Sequence, residues 1–248
     1  NPFFHSFGYK AGWLAAIIHG AKILPVLSFD LDKVLAQIEQ DKVSMLPGPP
    51  TIYQSVLAHP KRAEYDLSSL RLAVTGAAAV PVALIDKMRN ELGFESVVTA
   101  YGLTETCGVV TICRADDSAE LISTTSGRAM PGVEVQCVSL DGLPVPAGEP
   151  GEICVRGYNL MQGYFNNPEA TAETIDANGW LHTGDIGILD KKGYLKITDR
   201  LKDMIISGGF NVYPAEIENG LANIDGVVQS AVIGIADERM GEVPKAYI

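Results

Sequence analysis

Apolar positions along the first hundred residues switch between two spacings. Leu31, Val34, Leu35 and Ile38 recur every three or four residues, the period of one helix face. Val43-Ser-Met-Leu46 then reads as a short strand, closed by Pro47-Gly-Pro-Pro50. Residues 50–57 carry a second helical pattern that ends near Pro60. Leu70-Arg-Leu-Ala-Val-Thr75 is an apolar run of the kind that fills a buried strand, and Val97-Val-Thr99 starts another. Between them Pro81 opens a helix through Leu92, with Gly93 placed as its left-handed stop. Helices and buried strands in alternation predict parallel α/β layers.

Near residue 125 the period falls to two. Val133, Val135 and Cys137 alternate with polar residues, and Asp141-Gly142 supplies a turn. Residues 152–156 and 194–198 are further strand-like runs, with Asp190-Lys-Lys-Gly193 as a turn ahead of the second. These predict an antiparallel β subdomain. Beyond Lys202 come a strand (204–207), a Gly pair, a helix (214–222) with Ile217, Leu221 and Ile224 on one face, and a strand (228–235). That order predicts the start of a small α+β domain. The expected boundaries are 1–124 for part of a large α/β domain, 125–200 for its β subdomain, and 201–248 for a hinge and the first part of the small domain. The chain lacks an initial Met and stops at Ile248 inside a strand pattern, so a fragment is expected at both ends.

Composition narrows the classes. In 248 residues, 47% are hydrophobic and 20% charged, a globular balance, and the net charge of -11 argues against nucleic acid and anionic membrane as partners. No apolar run approaches a membrane span, and the first residues lack a secretory signal pattern. Cys107, Cys113, Cys137 and Cys154 are scattered without a CxxC pair. This suggests neither a disulfide scaffold nor a zinc site, and points to a reducing, cytoplasmic compartment. The sequence also lacks dinucleotide-binding GxGxxG, P-loop, zinc-protease and serine-hydrolase signatures.

The candidate chemistry centres on Tyr101-Gly-Leu-Thr-Glu-Thr-Cys-Gly108, which follows a buried strand. Thr104 offers a hydroxyl to a phosphate oxygen, and Glu105 the hard oxygen that Mg²⁺ prefers. Tyr101 brings a ring able to stack on a purine, and Gly102 lets the backbone approach a bound ligand. A buried strand ending in a polar loop explains the stretch equally well. Gly76, Ala77, Ala78 and Ala79 leave room for a flat ligand at a strand's carboxyl end, although tight packing accounts for them better. In His182-Thr-Gly-Asp185 a carboxylate could accept from ribose hydroxyls, or simply sit in a Gly turn. Residues 199–203 pack four charges into five positions at a composition boundary, which suits a hinge or a solvated turn. Ser207-Gly208-Gly209 suits a narrow ligand path or a bulge. His5 stands among aromatics, as a core residue or as a ring in a tunnel.

Together, YGLTET, HTGD and DRLKDMIISGG in this order, with RGYNLMQGYF between the first two, resemble the adenylate-forming superfamily. Acyl-CoA synthetases, firefly-type luciferases and peptide-synthetase adenylation domains make up that superfamily. The likeness covers nearly the whole chain and is strongest to bacterial carboxylate–CoA ligases of the fatty-acid and steroid-degradation kind. It implies that a carboxylate attacks the α-phosphate of ATP, and that the thiol of coenzyme A then displaces AMP. By resemblance, Tyr101 stacks on adenine, Gly76, Ala77 and Ala78 line the adenine and acyl site, Thr104 binds phosphate and Glu105 binds Mg²⁺. Asp185 holds the ribose, with Ile197 and Arg200 beside it, and His5 gates the acyl and pantetheine paths. Lys202 is the hinge, and Ser207, Gly208 and Gly209 form the pantetheine tunnel. The implied partners are a small carboxylate, ATP and coenzyme A, and a homodimer is allowed. The family's phosphate loop and adenylation lysine lie outside the window, so the chain by itself is expected to adenylate poorly. An amino-acid substrate is disfavoured, because no Asp follows the early phenylalanines.

Overall fold

The computed structural model describes residues 2–76 and 80–248. Ala77, Ala78 and Ala79 therefore lie outside the described residues. Two compact units emerge, one comprising residues 1–133 with 157–164, the other residues 134–156 with 165–248.

In the first unit a wide helical turn, Gly8–Leu14, runs into α1 (Ala15–Ile18). Helix α2 (Leu31–Asp41) starts at Asp30, whose carboxylate accepts from Lys33 N, and buries Val34, Leu35 and Ile38 on one face. Strand β1 (Met45–Pro47), α3 (Pro50–Ala58), β2 (Leu72–Thr75), α4 (Val82–Leu92) and β3 (Ser96–Tyr101) follow. The first two strands begin two residues later than their apolar runs predict. The carbonyl of Ser44 accepts from both Arg71 N and Leu72 N, so the ladder opens only after that shared bond. Helix α4 ends at Gly93 in the left-handed region, as its position predicts.

Strands β1, β2 and β3 are parallel, in register Met45↔Leu72 and Leu72↔Ser96. Two short antiparallel strands, β4 (Thr111–Ile112) and β5 (Arg128–Ala129), with α5 (Ala119–Thr124) between them, complete a sheet ordered β1-β2-β3-β4-β5. Leu35, Ile38, Tyr53, Ile85, Met88, Phe94 and Val97 form the core between helices and sheet. Tyr53 is fully buried, and its hydroxyl donates to Leu46 O at 2.7 Å, which ties α3 to β1. Burial pushes that phenol well above its ordinary range.

The second unit holds β6 (Val133–Val138), β7 (Pro150–Gly157), α6 (Pro168–Thr174), β8 (Leu181–Leu189) and β9 (Leu195–Arg200), in a sheet ordered β6-β7-β8-β9. Its β7, β8 and β9 run antiparallel, as the period-two pattern predicts. Ile153, Val155, Leu181, Ile186 and Leu195 are its buried face. The chain continues through β10 (Ile205–Ser207), β11 (Phe210–Val212), α7 (Pro214–Leu221), β12 (Ala231–Asp237) and β13 (Gly241–Tyr247), giving a sheet ordered β11-β10-β13-β12.

Three expectations are corrected here. Gly208 and Gly209, at φ 58° and 85°, are the two central residues of a tight β10–β11 hairpin with Ser207 opposite Phe210, rather than a bulge. Ile224 lies past the end of α7 and is exposed, so Ile217 and Leu221 alone keep the apolar face within the helix. The last predicted strand begins at Ala231, leaving Val228 fully exposed. Among the described residues, no helix is long and apolar enough to cross a membrane.

Candidate functional site

The carboxyl ends of β2 and β3 lie side by side, with Thr75 opposite Thr99. Gly76 leaves β2 where an added Cβ would stand 3.4 Å from Ala100 O, one residue before Tyr101. Open α/β sheets bind ligands at this end of parallel strands. Tyr101 closes β3 and is buried, and its carbonyl accepts from Val110 N at 2.7 Å.

Between Tyr101 and Val110 the chain makes a closed loop. Residues Thr104–Thr106 form one 3₁₀ turn, with Thr104 exposed and Glu105 half-buried. The buried Thr106 hydroxyl accepts from Leu103 N at 3.0 Å and donates to Leu103 O at 3.1 Å. Cys107 then takes a left-handed conformation, and Gly108 N returns to Leu103 O at 2.8 Å. A Cβ on Gly102 would meet Gly108 and Val109 backbone atoms at 2.6 Å. The close approach at Gly102 is thus to the chain's own backbone.

The segment 157–164 straps this loop. Asn159 Nδ2 donates to Val109 O at 2.9 Å and to Thr106 O at 3.3 Å. Met161 N donates to Glu105 O at 2.7 Å, and Tyr164 OH donates to Glu105 Oε1 at 2.9 Å. Both backbone and side chain of Glu105 are therefore held. Its second oxygen lies outside the Tyr164 bond, and a hard carboxylate oxygen held in this way fits Mg²⁺. His5 is exposed rather than in the core, and its Nδ1 accepts from Phe7 N at 3.2 Å. Ser6 and Lys10 flank Gly108, which brings this N-terminal segment against the loop.

In the second unit, Asp185 lies on β8 opposite Arg200 of β9, with Arg200 Nε 3.7 Å from Asp185 Oδ1. Glycine is needed just before it, at Gly184 with φ 70°, whose N–H donates to Glu152 Oε1 at 3.0 Å. Thr183 Oγ1 donates to Ile153 O at 2.7 Å and accepts from Asp185 N at 3.1 Å. Ile197 is part-exposed on β9, opposite Gly187. Lys202 is exposed in a 3₁₀ turn over Leu201–Asp203. Asp199 does more than add charge, because its Oδ2 accepts from Ala215 N at 3.0 Å in the first turn of α7.

A model of the AMP-binding enzyme family covers residues 1–165. The chain belongs to that family. It is 60% identical, over all its 248 residues, to a methyl-dioxo-octahydroindenyl-propanoyl:CoA ligase of Rhodococcus jostii, covering 46% of that protein. It is 54% identical to the equivalent ligase of Mycobacterium tuberculosis, covering 47% of it. The chain thus spans about half the length of the curated relatives it matches. Among solved structures, o-succinylbenzoate CoA synthetase of Bacillus subtilis bound to its acyl-adenylate superposes with a TM-score of 0.86 at 35% identity, over 100% of this chain and 49% of that one. The same enzyme has been solved with ATP and magnesium ion, with a TM-score of 0.85 over 100% of this chain and 50% of that one.

In this member of the AMP-binding family both the loop and the RGYNLMQGYF stretch are legible from sequence as motifs, but the contact by which the second straps the first is not. Asn159 and Tyr164 stand 53 and 59 residues from the groups they hold, a separation at which the sequence gives no sign of the pairing. Glu152 was likewise missed as the clamp on Gly184, and Asp199 as the partner of α7. The fold also gathers residues that spacing kept apart. Cys154 Sγ lies 3.5 Å from His182 Nδ1, which lies 2.8 Å from Glu152 Oε2. Burial, then the carboxylates of Glu152 and Asp176, push the Cys154 thiol up to about 12, so it is protonated at neutral pH.

Proposed function

We propose that the protein containing this chain activates a carboxylic acid with ATP and transfers the acyl group to coenzyme A. A carboxylate oxygen attacks the α-phosphorus of ATP, forming the mixed anhydride and releasing pyrophosphate. The coenzyme A thiol, losing its proton, then attacks the acyl carbon, and AMP leaves with the former carboxylate oxygen. The observation that carries this reading is the high identity, along the chain's whole length, to two propanoyl:CoA ligases.

Residue roles are assigned on the same basis. Tyr101 stacks on adenine beside Gly76, Thr104 donates to a phosphate oxygen, and Asp185 accepts from the ribose hydroxyls with Arg200 and Ile197 alongside. Glu105, oriented by Tyr164 and by Met161 N, holds Mg²⁺, which when bound offsets phosphate charge. The protein contributes mainly position and preorganised dipoles. His5 borders the acyl path, Lys202 is the hinge, and the Ser207-Gly208-Gly209 hairpin borders the pantetheine path. The relatives' names describe a fused bicyclic diketone bearing a propanoyl chain. That chemistry, with the small residues after Thr75, supports a bulky alicyclic or steroid-derived acid over acetate.

The test uses the full open reading frame with ATP, Mg²⁺ and a panel of fatty, aromatic and polycyclic acids, with and without coenzyme A. Mass spectrometry is expected to find AMP and an acyl-CoA for the polycyclic class. Adenylate without thioester would point instead to a carrier-protein acceptor. No AMP with any acid would refute the reading.

A further inference from the structure

We propose that Glu152, Cys154 and His182 form a binding site for a divalent cation of borderline softness, for which Zn²⁺ is the best match. The site lies wholly within the second unit and does not depend on the ligase reading.

The sheet builds it. Cys154 of β7 is directly opposite His182 of β8, and Glu152 is two residues before Cys154 on the same strand. The register then shifts, with Glu152 opposite Ile186, so β8 takes four residues where β7 takes two. Such irregularities re-aim side chains. Here Glu152 reaches back toward His182, and the three donor atoms lie within 4.8 Å of one another.

The spacing suits a metal. A tetrahedral ion with bonds of about 2.0–2.3 Å holds its ligand atoms roughly 3.3–3.7 Å apart. Cys154 Sγ and His182 Nδ1 are already at 3.5 Å. His182 Nδ1 and Glu152 Oε2, at 2.8 Å, would need to separate by roughly 0.6 Å, within one side-chain adjustment. Glu152 could ligate through Oε2 while Oε1 keeps its bond to Gly184 N.

A supporting carboxylate stands on the far side of the imidazole. Asp176 Oδ2 is 3.9 Å from His182 Nε2, and Asp176 Oδ1 is fixed by bonds from Asn178 N and Trp180 N at 2.8 and 2.9 Å. In the metal-free structure Nδ1 donates its proton to Glu152. When an ion takes the Nδ1 lone pair, the ring proton moves to Nε2, where the Asp176 carboxylate favours it. Access comes from the His182 side, where the ring is 32% exposed while Cys154 is buried. Charge balances as well. As the sulfur–metal bond forms, the thiol proton leaves to solvent, and thiolate plus carboxylate offset the two positive charges. A fourth position stays open for water.

The plainer use of these residues is a Glu152–His182 hydrogen bond that steadies the Gly184 turn, and the experiment separates the two. The reduced protein is titrated with Zn²⁺ by calorimetry and with Co²⁺ by absorption. One Zn²⁺ per chain is expected, with a sulfur-to-cobalt charge-transfer band in the near ultraviolet for wild-type protein. Cys154→Ser and His182→Gln are each expected to weaken Zn²⁺ binding by at least about 100-fold, and Asp176→Asn by roughly tenfold. Wild-type affinity retained in Cys154→Ser, or no charge-transfer band in the wild-type protein, would overturn the proposal. The cobalt spectrum needs no variant, so a substitution that fails to fold does not blunt the test.

Discussion

Tyr164 donates its phenolic proton to Glu105 Oε1 at 2.9 Å, across 59 residues of sequence. The bond fixes one carboxylate oxygen and so determines where the other points. Because Tyr164 is 38% exposed, losing its hydroxyl should affect orientation more than folding. In the full-length enzyme, Tyr164→Phe is expected to raise the KM for Mg·ATP by about tenfold, the equivalent of one charge-assisted hydrogen bond. The melting temperature should move little. Steady-state kinetics beside a thermal melt checks both, and an unchanged KM would remove Tyr164 from the positioning of Glu105.

Asn159 works differently, because it is buried and its amide serves two backbone carbonyls. Asn159→Ala would leave the buried Thr106 O without its side-chain partner and remove the bond to the part-buried Val109 O, at a cost of about 1–3 kcal/mol. Urea denaturation should read that loss as a lower midpoint at an unchanged slope. Nucleotide binding should weaken with it, since these carbonyls belong to the loop that carries Thr104 and Glu105.

The contacts of these two side chains mark the limit of what the sequence discloses, since RGYNLMQGYF reads as a motif while what it touches does not. The period of Val34, Leu35 and Ile38 and the Pro81 and Gly93 punctuation show the α/β half directly, since each rule acts within one helical turn. Strands β4 and β5 are two residues each and carry no period of their own; they exist because β3 offers them an edge. The YGLTET loop is legible as a motif, yet its stability comes from residues 157–164, placed there by the fold. The Gly208-Gly209 pair invites a ligand reading, and the positive φ values show that the hairpin itself needs both glycines. Likewise Glu152, Cys154 and His182 have no metal-like spacing, and only strand register gathers them.

Gly102 allows a test of how tightly the loop closes. Any Cβ there would stand 2.6 Å from Gly108 and Val109 backbone atoms, which cannot swing aside as a side chain can. Gly102→Ala is expected to destabilise the first unit by about 1–3 kcal/mol through overpacking. Hydrogen exchange should show faster exchange at the Gly108 and Val110 amides than in wild type. Unchanged protection of both would mean that the loop has slack the geometry does not show.

Glu134 and Arg156 pair through two bonds, at 3.0 and 2.8 Å, on the exposed face of the second unit. The Arg156 guanidinium holds the Glu134 carboxyl below its ordinary value. A carboxyl lowered in the folded state stabilises fully above its unfolded value, and that contribution fades as pH falls through the folded one. Glu134→Gln should therefore lower the melting temperature slightly at neutral pH, with the difference from wild type closing as the solution is acidified below pH ~4. Added salt should shrink the same difference. A gap that persists in acid would assign the effect to packing instead.

The turn after β9 carries the sharpest mechanistic expectation. Asp199 bonds Arg200 N at 2.7 Å and, through its other oxygen, Ala215 N at 3.0 Å, so one carboxylate spans both sides of the exposed Leu201–Asp203 turn. If Lys202 is the pivot for a change between two half-reactions, stiffening it should harm only the step that needs the change. Proline fixes φ near −65° and removes the backbone donor. In the full-length enzyme, Lys202→Pro is expected to leave acyl-adenylate formation close to wild type while slowing thioester formation by roughly tenfold or more. Asp199→Ala, which releases the Ala215 contact without stiffening the chain, should instead lower stability by about 1 kcal/mol and leave the ratio of the two half-reactions unchanged. Pyrophosphate release and acyl-CoA appearance, measured separately in single turnovers, read both. Equal loss of the two steps in Lys202→Pro would place the pivot elsewhere.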